Sequence, residues 1–274
     1  MIRSCAVVLL AFFLVETSWA NLQVFPTRLV LTDHKKTGHL SLKHVGDKQE
    51  RYKITAVFYR MNSDGGMQLV EHAAYGVPES AVRLLRFSPR EVTLNPNVEQ
   101  ILRVMFFSRD KIEDGEYRAH LHFEPVVEPV GSENQSAAKN PKDGGLTMQL
   151  QAKIAVAVPV IYRRGNPKAL VRLSDPKLVK FEDGKSGFSV SIHREGKAFL
   201  FGDFNVFFRP SSGGEQTLVG LINGVSSYID LRVAKYPLSP PDGFKMDSGK
   251  LVIEYREPVS DGGKVEASAE LAIP

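Results

Sequence analysis

Cysteine is almost missing from this chain: Cys5 is the only one in 274 residues. It sits where Arg3 is followed by an uncharged apolar run from Ala6 to Val15 and then by Ser18-Trp19-Ala20. A short positive start, an apolar stretch and a small-x-small end make the pattern of a secretory signal peptide. The expectation is a leader over residues 1–20 and an exported chain beginning near Asn21. Such a chain has no thiol for a disulfide or a Cys-based metal site, so its core alone must hold it together. Long apolar runs are missing as well. The leader's run is shorter than the about 20 residues that a membrane-crossing helix needs, and no later stretch reaches that length, so no membrane insertion is expected. The net charge of +4 is modest. Neither aromatics nor positive charges gather into the stripe that nucleic acid requires, which leaves no nucleic-acid partner.

Catalytic signatures are absent too. The chain contains no Gly-x-Ser-x-Gly, no Walker loop, no Gly-x-Gly-x-x-Gly and no His-Glu-x-x-His. His120 and His122 share one face of a strand, but two imidazoles need a further ligand to hold a metal, and no other cluster supplies one. His34, His39 and His44 lack ligand spacing, and the Glu113-Asp114 pair belongs to a turn. The expectation is a protein that is not an enzyme, with no cofactor and no metal, working through surface and backbone.

What the chain does have is β periodicity. Short alternating runs recur between turn signals, and no 3.6-residue period persists over ten residues or more. Strands are expected at Leu22–Leu31, Gly38–His44, Tyr52–Tyr59, Met67–Val70, Leu84–Ser88, Gln100–Phe107 and Tyr117–Glu124. Asp64-Gly65-Gly66 and Asn95-Pro96-Asn97 are turns between them. Tyr117, just inside a strand after Asp114-Gly115, has the sequence form of the tyrosine corner of Greek-key sandwiches. Residues Pro125–Gly145, rich in Pro, Gly, Ser, Asn and Lys, read as a long loop. Arg163-Arg164-Gly165-Asn166-Pro167 marks a boundary. Beyond it, further runs are expected at Leu170–Leu173, Leu178–Phe181, Gly187–His193, Ala198–Phe208, Thr217–Leu221, Ser226–Val233, Leu251–Tyr255 and Lys264–Ile273. The fold class is therefore all-β: one sandwich over residues 21–164 and a second over 165–274.

One strand is longer than its own sandwich needs. From Leu146 to Ile161, apolar residues occupy every second position: Leu146, Met148, Leu150, Ala152, Ile154, Val156, Val158 and Val160. Alternation places them on one face as a continuous ridge. A typical strand has about 5–6 residues, so this one has apolar length left over. Surplus edge is either a hazard or a device for pairing with another chain.

Several stretches resemble the periplasmic chaperones of chaperone–usher pilus systems, above all their archaic or alternative branch. They are Thr27-Arg28-Leu29-Val30-Leu31, Phe87 to Pro96, Gly115 to Leu121 and Val158 to Gly165. His193-Arg194-Glu195-Gly196 and Phe201-Gly202-Asp203 are similar to the same branch's second domain. The resemblance implies two immunoglobulin-like domains in a boomerang, a periplasmic location, and pilus or fimbrial subunits and an outer-membrane usher as partners. It implies that Leu146, Met148, Leu150, Ala152 and Ile154 form a donor strand that fills the groove of an incomplete pilin by β-augmentation, while Val156–Ile161 anchors in its own domain. It also implies a basic anchor for the subunit's terminal carboxylate. Arg28 falls on the family's first-strand arginine. The family's second cation is a lysine late in the donor strand, and this chain departs there, with Pro159 at its place. Lys153 and Arg118 are the alternatives. The other readings are an exported structural pilus subunit or adhesin, which would carry its donor segment near its own N-terminus, and a secreted enzyme on a sandwich scaffold, against which the lack of a convergent polar constellation stands. Self-association through the exposed edge is left open.

Overall fold

Alternating runs punctuated by Gly, Pro, Asn and Asp favour strands, because each strand can bury one face and wet the other. The computed structural model describes residues 21–72, 76–109, 111–126 and 154–274, and the regular elements among them are strands and a short 3-10 turn at Val259–Asp261. They form two immunoglobulin-like sandwiches, each of two sheets.

In the first sandwich, one sheet runs across β1 (Leu22–Phe25), β3 (Thr37–His44), β8 (Glu99–Phe106) and β6 (Leu85–Ser88), in that order. The facing sheet runs across β2 (Leu29–Thr32), β10 (Val156–Arg164), β9 (Gly115–Pro125), β4 (Glu50–Met61) and β5 (Met67–Val70), with β7 (Glu91–Leu94) also on β4. In the second sandwich, β11 (Ala169–Lys180), β12 (Ser186–Gly196) and β15 (Leu231–Pro237) face a sheet of β14 (Thr217–Ser227), β13 (Leu200–Pro210), β16 (Gly249–Arg256) and β17 (Val265–Ile273).

Four details differ from the sequence expectation. The run Leu22–Leu31 is two strands in different sheets, β1 on β3 and β2 on β10. Pro26 lies between them and has no N–H for a ladder, so the chain changes sheet there. Ser226–Val233 divides between β14 and β15. Glu91–Leu94, not expected as a strand, pairs with β4. Leu170–Leu173 and Leu178–Phe181 join into β11 across a register shift that contains Asp175 at φ 52°. One extra residue in a strand lets pairing resume beyond the bulge.

Burial follows the alternation. Ala119, Leu121 and Phe123 of β9 and Val158, Val160 and Tyr162 of β10 enter the first core. Tyr162 stacks on Phe106 with ring centroids 3.4 Å apart, and its hydroxyl donates to Asp33 at 2.6 Å. The same carboxylate accepts the Gly165 N–H at 2.7 Å, tying the end of β10 to the start of the connection. The Tyr117 hydroxyl donates to the Glu113 carbonyl at 2.9 Å, the bond that defines a tyrosine corner. Phe188, Phe204 and Tyr255 anchor the second core.

The two sandwiches touch at the hairpin between β4 and β5. The Val233 N–H donates to the Ser63 carbonyl at 2.6 Å, and Arg232 lies against Gly65. Gly65 has φ +92°, and a Cβ there would fall 2.4 Å from Arg232 Nε. Gly65→Val therefore meets both a disfavoured backbone and a clash. It is expected to cost on the order of 2 kcal/mol in urea unfolding and to speed proteolysis between the sandwiches.

Candidate functional site

With odd-numbered residues of β9 in the core, Arg118 and His120 leave the opposite face and meet the second sandwich. Arg118 is only 8% exposed. Its guanidinium lies 3.7 Å from the centroid of the Tyr228 ring, and Nη2 donates to the Tyr59 carbonyl at 3.0 Å. Its Nε is buried with no acceptor. Arg28, just ahead of β2, stacks on Phe201 at 3.5 Å and reaches Phe199 at 5.5 Å. Cation–π contact of this kind holds a guanidinium without neutralising it. Arg28 Nη1 is also buried without an acceptor. Burial pushes the pKa of both arginines down, yet a guanidinium stays charged at any ordinary pH.

Glu116 is the buried carboxylate that both arginines feel. It accepts from Arg163 Nε at 3.3 Å and from the Phe199 N–H of the second sandwich at 3.3 Å. Burial pushes its pKa up to about 7, against the pull of the Arg163 guanidinium. A raised acid binds its proton more tightly folded than unfolded, so its contribution to stability is greatest below the ordinary value of 4.5 and is lost as pH rises through about 7. Glu116→Gln is expected to remove that part of the slope. Unfolding free energies of the two proteins should therefore diverge by a few kcal/mol between pH 5 and pH 8, the wild type losing the more.

Beside these groups a cleft of about 480 Å3 opens between the sandwiches, lined by Tyr59, Met61, His120, Pro159, Tyr228 and Arg232 among others. His120 packs edge-on to Tyr59 at 5.0 Å. Burial, and then the Arg118 charge, push its pKa down to about 3, so it is neutral. Arg232 donates to the Ser226 carbonyl and to the Tyr236 hydroxyl, while its Nε has no acceptor. Arg28, Arg118 and Arg163 thus share one buried carboxylate, Glu116, while Arg232 lines the cleft nearby. Buried positive charge with unfilled N–H groups is costly until an anion arrives to pair with it.

The structure brings Arg28 and Arg118 to a common neighbour, Tyr228. Leu146, Met148, Leu150, Ala152 and Lys153 lie outside the described residues. Ile154 precedes β10 and is 48% exposed. Pro159 pairs with His120 and lines the cleft. Among the described residues no cluster of three His, Cys, Asp or Glu could hold a metal, and His120 and His122 have no third partner. Sequence reasoning missed Glu116, Arg163, Phe199, Tyr228 and Arg232 as members of the site. Their one local signal was weak, since Arg163 and Glu116 fall in stretches already singled out for other reasons.

Strand β10 has unequal edges. Antiparallel β9 pairs with it from Val156 to Arg164, but parallel β2 covers only Val160–Arg163. Its first half, Val156–Pro159, has one strand neighbour among the described residues, on the side leading back to Ile154.

Fold and cleft together define a two-sandwich protein with buried guanidinium groups near an interdomain cleft and a strand whose first half has one strand neighbour among the described residues. No family model matches the sequence, and no curated protein matches it either. The chain is similar to solved structures of fimbrial chaperones. The class 5 fimbriae chaperone CfaA is 15% identical, with 93% of this chain and 100% of that one covered and a TM-score of 0.44. The CupB2 chaperone of Pseudomonas aeruginosa is 13% identical over 92% and 100%, with a TM-score of 0.45. A third is the CsuC–CsuE chaperone–tip adhesion subunit complex of archaic Csu pili of Acinetobacter baumannii, 12% identical over 92% and 98%, at 0.44.

Proposed function

We propose that this protein is a periplasmic chaperone of a chaperone–usher pilus system. It captures fimbrial subunits by lending them a strand and passes them to an outer-membrane usher. The observation that supports the reading is the flank of β10 at Val156–Pro159, which has one strand neighbour among the described residues, follows the apolar alternation of the preceding sequence and lies on the strand that pairs with the one carrying Arg118. An incoming strand gains main-chain hydrogen bonds along that flank, and its groove takes the alternating side chains Leu146 to Ile154. Each buried apolar Å2 contributes roughly 25 cal/mol, so a few large ridge residues supply several kcal/mol.

In this reading the subunit's terminal carboxylate pairs with the buried guanidinium groups. Arg28 and Arg118 grip it, and Lys153 is the other candidate for the second cation. A guanidinium offers two parallel donors to a carboxylate, which fixes orientation as well as affinity. No nucleotide or cofactor is needed, because the free energy of strand completion drives capture.

Co-expression with candidate subunits tests the reading: a soluble one-to-one complex on size-exclusion chromatography is expected. Arg28→Ala is expected to weaken capture by about 100-fold, the loss of a charge-assisted pair in a buried site. If Arg28→Ala holds a subunit as well as the wild type does, the anchor assignment is wrong.

A further inference from the structure

The sheet β1-β3-β8-β6 packs its inner face on β10, and its outward face, turned away from β10, plays no part in subunit capture as proposed. The strand registers place its outward side chains in rows. Phe25, Ser41 and Ile101 form one row, His39, Arg103 and Ser88 the next, and Thr37, Met105 and Arg86 a third. Ile101 and Met105 are each 41% exposed, and Phe25 is 74% exposed. A sheet face turned to water normally carries polar residues at such positions, so exposed Phe25, Ile101 and Met105, on either side of Arg103, are an exception with a cost. Over it lies an open groove of about 810 Å3 whose lining includes Lys35, His39, Arg86, Ile101, Arg103 and Met105.

The charge of the groove is one-sided. Lys35, Arg86 and Arg103 line it, and among the described residues no acidic side chain does. The outward carboxylate of β8, Glu99, sits at the strand's far end, opposite Lys43, and accepts from the Ser41 hydroxyl. Arg86 donates to the carbonyls of Arg83 and Leu85 and lies over the Phe107 ring, with no carboxylate partner among the described residues. The groove also borders β6, which among the described residues pairs with β8 alone and ends the sheet. A short edge strand offers main-chain donors and acceptors to an extended segment, which a lipid surface cannot use.

We propose that this face is a second docking surface, taking an extended acidic segment of a partner protein whose alternate apolar side chains enter the groove. The carboxylates of the segment pair with Lys35, Arg86 and Arg103, its apolar residues cover Ile101 and Met105, and its backbone runs along β6. Because these residues are surface charges, their effect falls mainly on association rate and selectivity and weakens with salt.

A short fluorescein-labelled peptide of alternating Glu and Leu, titrated with the purified protein in fluorescence anisotropy, provides the test. The expected result is binding that is at least about tenfold tighter than that of the Lys/Leu counterpart, about tenfold weaker for Arg103→Glu, and reduced for Ile101→Ser. Lys235→Glu, on the second sandwich, is expected to leave it unchanged. Thermal melts of all variants should match the wild type, since the altered side chains are exposed. Equal binding of the Glu/Leu and Lys/Leu peptides would overturn the proposal, as would binding that Arg103→Glu leaves intact, which would place the peptide on β10 instead. Two further results would assign the face elsewhere and overturn it: capture by phosphatidylglycerol vesicles without peptide binding, or a concentration-dependent dimer in sedimentation that Ile101→Ser dissolves. None of these results depends on whether the protein captures a pilus subunit.

Discussion

Val158→Asp is expected to unfold the first sandwich, whereas Ile154→Asp, at the same alternation, leaves it folded and abolishes subunit capture. The two residues are both branched aliphatics in one run, so local sequence does not separate them. Burial does: Val158 is 3% exposed and Ile154 is 48% exposed. Val158 sits in a core with Leu121 and Val160, where an unpaired carboxylate costs several kcal/mol. That is a large part of the about 5–15 kcal/mol that holds a domain together. At Ile154 a charge meets water in the free protein and changes stability by no more than about 0.5 kcal/mol. In a subunit groove the same charge is buried without a partner. Near-ultraviolet circular dichroism reads the fold, and co-purification reads capture. If Ile154→Asp captures as well as the wild type, the lent segment ends before Ile154. If it unfolds the protein, the run is ordinary core.

Arg118→Met is expected to separate stability from binding in the opposite sense. The substitution keeps a long apolar stem over Tyr228 and removes a buried charge whose Nε has no acceptor. The free protein loses the bond to the Tyr59 carbonyl and the cation–π contact, worth about 1–2 kcal/mol together. It is also relieved of desolvating a guanidinium that lacks a close counter-ion, a term of similar or larger size. Stability in urea should stay within about 1 kcal/mol of the wild type. Capture, which uses the charge, should fall by about 100-fold. A variant with weakened stability and intact capture would make Arg118 a structural arginine and leave Lys153 as the second cation.

The strands, their faces and the two-sandwich class were legible because each depends on neighbours one or two residues away. Alternation in Val156–Tyr162 and turn chemistry at Asp64–Gly66 act locally, whatever the rest of the chain does. The break at Pro26 was readable in principle, since a residue without an N–H cannot sit inside a ladder. The strand Glu91–Leu94 was harder, because four residues between turns carry too little pattern to stand out.

The cleft was legible only in part. Arg28 could be named from the family resemblance, and Arg118 from its place on the strand beside the ridge. Their surroundings could not, because Phe199, Phe201, Tyr228 and Arg232 arrive from the other sandwich, some eighty to two hundred residues away along the chain. The about-neutral titration of Glu116 has the same origin: burial between sandwiches moves it, and burial is not a property of the dipeptide Glu116-Tyr117.

Sequence by itself determined the alternation, and with it the all-β class and the apolar pattern from Leu146 to Val160. Tertiary structure decided which half of β10 pairs with β2, and which guanidinium groups gather near one buried carboxylate. The physical reason is range. Strand periodicity arises from backbone geometry between adjacent residues, whereas edge exposure and desolvated charge depend on which distant segments pack alongside, and only the folded chain fixes that.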